Sequence, residues 1–360
     1  MNAASHAQQS SGIGTRRGRL AGTAVALALL VAGCGGNSDV AGNTSGTEEK
    51  VPATVRLGIG GSGTLAYAAS YVAEGKGYLD EELKQLGSKV EVIGLSGSVD
   101  GIKALATGDV QYTTSVTSNG LNSNAEGAPV QQVVQFLNTD LTLLAATPGL
   151  STDFNDHKAL VEGKRWGIPS IGSSAQVTAL RLLKKWGYSE KDVEFVVTGN
   201  VAASVAAVTK KIADYYWIGS AAQPLIEDGT LDLVLNLYEP EAVTAVYGGP
   251  YASAGLFVKP EYAAEHPKLT EAVVRAHVRA LQFIQENKSN PEAINASFPK
   301  DMQSPKNIGV LKATLAGFSP DGRVLQDAVE RVVESGKGGG LFKEDQEFDL
   351  KAFVNNSFLE

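Results

Sequence analysis

The sequence predicts an α/β protein of two lobes, each a mainly parallel sheet flanked by helices. Three observations predict it. Short apolar, β-branched runs alternate with helical patterns from residue 53 to about 246, and such alternation argues for parallel sheets covered by helices. The same order then recurs about 100–110 residues on: strands open near Val55 and Arg165, Tyr112 and Tyr215 stand 103 apart, and PVQQVVQF has its counterpart in LDLVLNLY. Glycine is abundant, 40 in 360 residues, which suits many tight strand-to-helix turns.

The elements follow in order. Val55–Gly60 reads as a strand and Gly61–Thr64 as a turn, with Ser62 or Thr64 as helix cap. Leu65, Ala68, Ala69, Val72 and Ala73 keep helical spacing, and Gly75 or Gly77 ends that helix. KVEVIGL alternates as a strand, SGSVDGIKALATG is a helix with Val99, Ile102, Leu105 and Ala106 on one side, and GDVQYTTS is the third strand. The second unit repeats the plan: strand Arg165–Ile168, a polar turn, a capped helix stopped at Gly187, strand DVEFVVT, helix NVAASVAAVTKK and strand KIADYYWIGS. Past residue 246 the pattern changes. A long amphipathic helix over about Pro267–Asn287 carries Val273, Val274, His277, Leu281 and Ile284 on one side, and further helices follow, expected to return over the first lobe. The boundaries expected are 53–145 plus 247–360 for the first lobe and 146–246 for the second, with crossings near Leu141–Thr147 and Val243–Ser253.

The amino-terminal 52 residues do not belong to either lobe. Arg16, Arg17 and Arg19 precede Leu20–Gly33, an uncharged and mostly apolar run of 14 residues. That is short of the roughly 20 needed to span a bilayer as a helix. A basic region, a short apolar region and small residues before a boundary describe a signal peptide over residues 1–33. Leu30-Val31-Ala32-Gly33-Cys34 resembles a bacterial lipobox, which implies lipidation of Cys34. The export route, general secretory or twin-arginine, stays open. Residues 34–52 are rich in Gly, Ser and Asn and read as a flexible tether. The eighteen residues after Cys34 reach roughly 20–25 Å, so the lobes are expected at a membrane face, attached through the anchor only.

Charge and cysteine content narrow the function. Removing residues 1–33 takes away three arginines and no acid and lowers the formal charge from −8 to −11. So acidic a chain is a poor nucleic-acid binder, since phosphate binding needs clustered Lys and Arg. Cys34 is the only cysteine, so stability outside the cytoplasm must come from the core. No cofactor is expected, and a monomer is.

In open α/β sheets ligands bind outside the carboxyl ends of the strands. Here those ends are polar turns: Gly61-Ser62-Gly63-Thr64, Ser96-Gly97-Ser98, the Thr114, Ser115 and Thr117 stretch, and Ser170 with Gly172-Ser173-Ser174. Several open helices, whose first N–H groups are unpaired and carry partial positive charge, so an anionic head can dock without Arg or Lys. Tyr67, Tyr112, Tyr216, Trp217 and Tyr251 are candidates for pocket walls. The residues expected to contact the ligand are Ser62, Thr64, Tyr67, Ser98, Ser115, Ser173 and Trp217. None of the turns carries Lys or Arg, which favours a sulfonate, carboxylate or flat heterocycle over a small ion such as nitrate.

Residues 53–360 resemble ABC-importer solute-binding lipoproteins of the nitrate/sulfonate/taurine and thiamine-pyrimidine-precursor family. The matching pieces are TLAYAASYVAEGKGYLDEEL, VEVIGLSGSVDGIKALATGDVQY, GIPSIGSSAQVTALRLLKKWGY, HPKLTEAVVRAHVRALQFIQENKSNPEAI, FSPDGRVLQDAV and NNSFLE. The resemblance implies a type II periplasmic-binding-protein fold with two hinge crossings. It implies a sulfonate- or taurine-like solute, or a pyrimidine-type one, and a permease and ATPase as partners. One departure stands out. The family's second-lobe strand usually ends in an Asp-Ala type pair after Gly, whereas this chain has Ala213-Asp214-Tyr215-Tyr216-Trp217. Three aromatics there are expected to alter the ligand class.

Two rival readings are weaker. Gly58-Ile59-Gly60-Gly61-Ser62-Gly63 matches G-x-G-x-x-G after a strand, but the second strand ends in Gly94-Leu95 where a dinucleotide site needs an acid. Thiamine-pyrimidine synthases share the implied fold but carry a cysteine-rich motif that this chain lacks. His157, His266 and His277 are scattered, and His277 falls on a helix side where a core role is expected.

Overall fold

The computed structural model describes residues 50–199 and 201–359. Cys34, the signal peptide and all but the end of the tether lie outside the described residues. Among the described residues ten strands form two five-stranded sheets.

The first holds β1 (Thr54–Gly60), β2 (Lys89–Leu95), β3 (Tyr112–Val116), β4 (Gln131–Leu137) and the late strand β10 (Ala254–Val258), in the order β2-β1-β3-β10-β4. The second holds β5 (Leu143–Ala146), β6 (Lys164–Ile168), β7 (Val193–Val197), β8 (Tyr215–Ile218) and β9 (Asp232–Asn236), in the order β7-β6-β8-β5-β9. The internal repeat is thus a repeat of topology. In register, Leu57 faces Tyr112 in one sheet and Trp166 faces Tyr215 in the other.

Each sheet contains one strand running against the other four: β10 pairs antiparallel with β3 and β4, and β5 with β8 and β9. These two strands mark the crossings. The sequence placed Leu143–Ala145 in the first lobe, within a connector. They are instead part of β5, paired on both sides in the second sheet and fully buried. β10 was likewise not assigned as a strand. Both are runs of four or five apolar residues buried on both faces, with no alternation to reveal them. The crossings shrink to residues 138–142 and 248–253.

Helices cover both faces. Early in the chain come α1 (Ala68–Gly75), α2 (Tyr78–Lys84), α3 (Ser98–Thr107) and α4 (Thr117–Ala125). Next are α5 (His157–Val161), α6 (Ser174–Lys185), α7 (Val201–Thr209), α8 (Gln223–Glu227) and α9 (Pro240–Tyr247). The rest are α10 (Pro260–Glu265), α11 (Pro267–Glu286), α12 (Pro291–Ala296), α13 (Lys306–Thr314), α14 (Gln326–Gly338) and α15 (Leu350–Phe353). Gly77 and Gly187 adopt the left-handed conformation that ends α1 and α6, with φ of 74° and 82°.

α11 packs on α1 and α2 over the first sheet. Leu269, Leu281 and Ile284 are fully buried on its inner side, each contributing about 1.5–3 kcal/mol. His277 shares that side. Its Nε2 lies 2.9 Å from Ser70 Oγ, its Nδ1 lies 2.8 Å from the Val273 carbonyl, and its ring stacks on Phe136. Burial lowers its pKa to about 4, so it is neutral.

The carboxyl-terminal helices do more than return over the first lobe. α14 packs on α4 and also on α6 beneath the second sheet, while α13 touches both the Leu65–Tyr67 turn and α8. Gly339 shows how close this is: a Cβ there would lie 2.5 Å from the Val177 carbonyl.

Candidate functional site

β3 runs straight into α4, β2 reaches α3 through Ser96-Gly97, and β6 reaches α6 through 169–173. The three helices start on one cavity of about 310 Å³. Its walls are Ser98 and Val99 of α3, Ser118 and Asn119 of α4, Ser170–Ser174 before and at α6, Val177, Tyr251 from the second crossing, and Val332, Gly336 and Leu341 at α14. Both sheets therefore contribute. Among the described residues no Lys, Arg, Asp or Glu lines it.

A larger hollow of about 520 Å³ lies at the opposite, amino-terminal ends of β1 and β2, among Pro52, Arg56, Lys89, Glu91, Gln111 and Tyr262. It is open to solvent and crossed by the exposed Arg56–Glu91 ion pair at 3.3 Å, and strand carboxyl ends do not reach it. The smaller cavity, at strand carboxyl ends and helix starts, has the chemistry of a binding site.

The residues expected from sequence separate into groups. Ser98 and Ser173 line the cavity. Ser98 is the hub on the first-lobe side: Asn119 Nδ2 donates to its Oγ at 3.0 Å and Ser115 Oγ donates to its carbonyl at 2.9 Å. Ser115 is fully buried and stands behind Ser98 rather than in the cavity. Tyr67 is also buried, its phenol hydrogen-bonded to Ser98 and its pKa raised by burial. Ser173 caps α6, accepting from the Gln176 amide at 3.3 Å, while Gln176 Oε1 accepts from the Gly172 amide at 2.6 Å.

Ser62 and Thr64 are exposed and outside the cavity walls. Their turn consumes its own donors. Gly61 and Ser62 amides donate to the Leu95 carbonyl, the Gly63 amide to Tyr71 Oη, and the Thr64 amide to Gly61. Neither hydroxyl caps the following helix, since Thr64 at the cap position makes no side-chain bond there.

Trp217 is displaced furthest from expectation. β8 is a central strand with both faces covered, so Tyr215, Tyr216 and Trp217 are all completely buried. Trp217 packs on Trp166 at 5.7 Å in the second-lobe core. The aromatic run cannot line the cavity. Of the aromatics weighed as walls only Tyr251 does, and Tyr112 is core, its Oη 2.9 Å from Thr270 Oγ1.

Sequence reasoning missed Asn119 and Ser118, although they lie in the first turn of α4, within three residues of the end of β3 at Val116. It also missed Asp140, in the first crossing. The Asp140 carboxylate accepts from the Leu141 amide, Thr142 Oγ1 at 3.1 Å, Thr178 Oγ1 at 3.0 Å and Tyr247 Oη. It thereby ties one crossing to α6 and to α9, just before the other crossing. Burial raises its pKa, and the four donors pull the other way. Tyr247 stacks on Tyr251 at 4.3 Å, with the Arg181 guanidinium 4.6 Å over its ring.

Two sheets, each with one strand lent across a double crossing, and a cavity at their facing carboxyl ends define the periplasmic-binding-protein class of fold. The solved structures agree. Periplasmic sulfonate-binding protein SsuA of Methylobacillus flagellatus KT superposes with a TM-score of 0.67 at 19% identity, over 85% of this chain and 92% of that one. Alkanesulfonate-binding SsuA of Xanthomonas axonopodis pv. citri, bound to MOPS, gives 0.63 at 18% identity over 84% and 98%. Nitrate-binding NrtA of Synechocystis PCC 6803 gives 0.64 at 14% identity over 85% and 87%. At these identities the likeness is one of fold. Among curated protein sequences none matches. Residues 65–292 match the family described as NMT1/THI5 like, and the chain belongs to that family.

Proposed function

We propose that this chain is the extracytoplasmic solute-binding component of an ABC importer, capturing a small organic anion of the sulfonate or taurine type between its two sheets. One observation carries the reading: α3, α4 and α6, drawn from both sheets, start on a single cavity that, among the described residues, has no cationic side chain in its walls. Helix starts supply N–H donors and partial positive charge there. An aromatic or pyrimidine-type solute is the second reading, favoured by the Tyr251 ring in the wall.

Binding, rather than catalysis, fits the groups present. Asn119 Nδ2 is engaged by Ser98 Oγ in the cavity wall and by Ser115 Oγ behind it, and the Ser70–His277 pair is sealed in the first-lobe core. The solute would close the lobes about residues 138–142 and 248–253, because it touches both lobes only when they are closed. A permease and its ATPase would receive it. Residues 53–142 with 254–360 would form one lobe and 143–247 the other, in a monomer. Among the described residues no helix is long and apolar enough to cross a membrane. Attachment would run through lipidated Cys34 and the 34–52 tether after removal of residues 1–33.

A thermal-shift screen and calorimetry test the binding reading, with alkanesulfonates, taurine, nitrate, aromatic carboxylates and pyrimidines. A rise of several degrees with one class identifies it, since binding to the native state alone stabilises it. No binding across the panel would sink the reading. For the anchor, Cys34→Ala should move the protein from membranes to the medium, and retention on membranes would refute lipidation.

A further inference from the structure

We propose that Val99 and Ile171 form an apolar latch between the lobes, two side chains that meet over the cavity when the solute is captured. The inference rests on the lobe closure described above and adds a contact within the chain that favours the closed form. Among the described residues five large apolar side chains are exposed, and three of them, Val99, Ile171 and Leu341, line this one cavity. Apolar side chains scattered singly over a surface mean little, whereas a cluster marks a place that something covers.

Their places in the two lobes say what covers them. Val99 stands in the first turn of α3, next to the first sheet, and Ile171 in the turn that leads from β6 of the second sheet to α6. They are 51% and 69% exposed, so a small anion held at the helix starts leaves both in water. Closing the lobes carries these two walls towards each other, and apolar surface that meets there is removed from water. The lobes are already in contact beside the cavity, where α14 packs on α6. The Ile171 turn is also braced. The Pro169 carbonyl accepts from the Gly199 amide at 3.0 Å, the Ser170 carbonyl from the Ser173 amide at 3.2 Å, and Gln176 Oε1 from the Gly172 amide at 2.6 Å. Gly172 takes the left-handed conformation there, with a φ of 77°. Ile171 is thus held out on a stiff turn, and little freedom is lost when the facing lobe covers it.

The first test is crosslinking of the unliganded full chain carrying Cys34→Ala, Val99→Cys and Ile171→Cys, with copper phenanthroline as oxidant. The control pairs Val99→Cys with Leu233→Cys, a second-lobe position that is exposed but does not line the cavity. The 99–171 disulfide should form at least about tenfold faster than the 99–233 one, because a bridge needs the two backbones to come close. An equal or slower rate overturns the latch, whatever the solute. The second test is stopped-flow dissociation of ethanesulfonate and butanesulfonate from the wild type, Val99→Ser, Ile171→Ser and the double variant. A latch predicts that both solutes leave about 5–10-fold faster from either single variant and no faster still from the double, since losing either end removes the same contact. Losses that grow with chain length, or that multiply in the double variant, assign these side chains to the solute and overturn the latch. If neither sulfonate binds the wild type the anion reading falls, and the crosslinking rates decide the latch on their own.

Discussion

Asn119 shows how one side chain organises the first-lobe half of the cavity. Its Nδ2 reaches both Ser98 Oγ and Ser115 Oγ, at 3.0 and 3.4 Å, and so sets the face that α3 presents to a ligand. Asn119→Ala should weaken solute binding about tenfold while destabilising the fold by only about 1 kcal/mol, read by calorimetry beside denaturant unfolding. His277 makes a different prediction. Its folded pKa of about 4 lies below the ordinary 6.5, so the unfolded chain binds the proton more readily between those values. Stability linked to His277 is complete above pH 6.5 and is lost as the pH falls towards 4, by up to about 3 kcal/mol at 1.36 kcal/mol per unit. Unfolding free energies measured from pH 4 to 7 should fall less steeply in His277→Gln; parallel profiles would contradict this. Sequence alone placed His277 in the core through its helical spacing. It could not place Trp217, because an apolar residue near a strand end is equally compatible with a pocket wall and with the core.

At the scale of elements, the two reversed strands matter most. β5 and β10 follow directly on the crossings, and Asp140 sits at the middle of the first crossing. Tyr247 donates to Asp140 from the end of α9, so each crossing is held against the other. Tyr247→Phe removes that donor and leaves a buried carboxylate underpaired, at a cost of about 1.5–3 kcal/mol in unfolding free energy. A change within experimental error would show that the bond carries no weight. α6 offers a smaller, separable effect: Ser173→Ala removes a cap worth about 1 kcal/mol in thermal or denaturant unfolding, and with it one polar wall of the cavity. Most elements were legible in the sequence. KVEVIGL is β2 end to end, and the long amphipathic segment is α11 to within one residue. Apolar period and glycine stops report local structure directly. The partner of a four-residue apolar run is a long-range matter, and β5 and β10 went unrecognised for that reason.

For the molecule as a whole, the consequence of two crossings is motion about them. α14 lies against both α4 and α6, and the exposed Lys184–Glu344 pair, at 3.4 Å, links the lobes beyond it. Ligand should therefore change the balance between open and closed forms, read as a smaller radius of gyration in solution scattering on addition of a binding solute. An unchanged radius with a bound ligand would argue against lobe closure. Gly339→Ala should disturb the same contact from within, since its Cβ would be 2.5 Å from the Val177 carbonyl and would push α14 off α6. Weaker binding in that variant would follow from displacement of Val332 and Leu341 in the cavity wall.

By itself the sequence determined the α/β class, the repeated strand order, the helix that covers the first sheet and the serine-rich strand ends. These depend on periodicity, capping and turn chemistry, which act over a few residues. Tertiary structure decided which strand ends face each other. It gave the Gly61–Thr64 amides acceptors at Leu95, Tyr71 and Gly61, buried Trp217, and brought Asn119, Tyr251 and α14 to one cavity. Those outcomes depend on pairing and packing between segments as much as 200 residues apart, such as Asn119 and α14, and no local pattern encodes them.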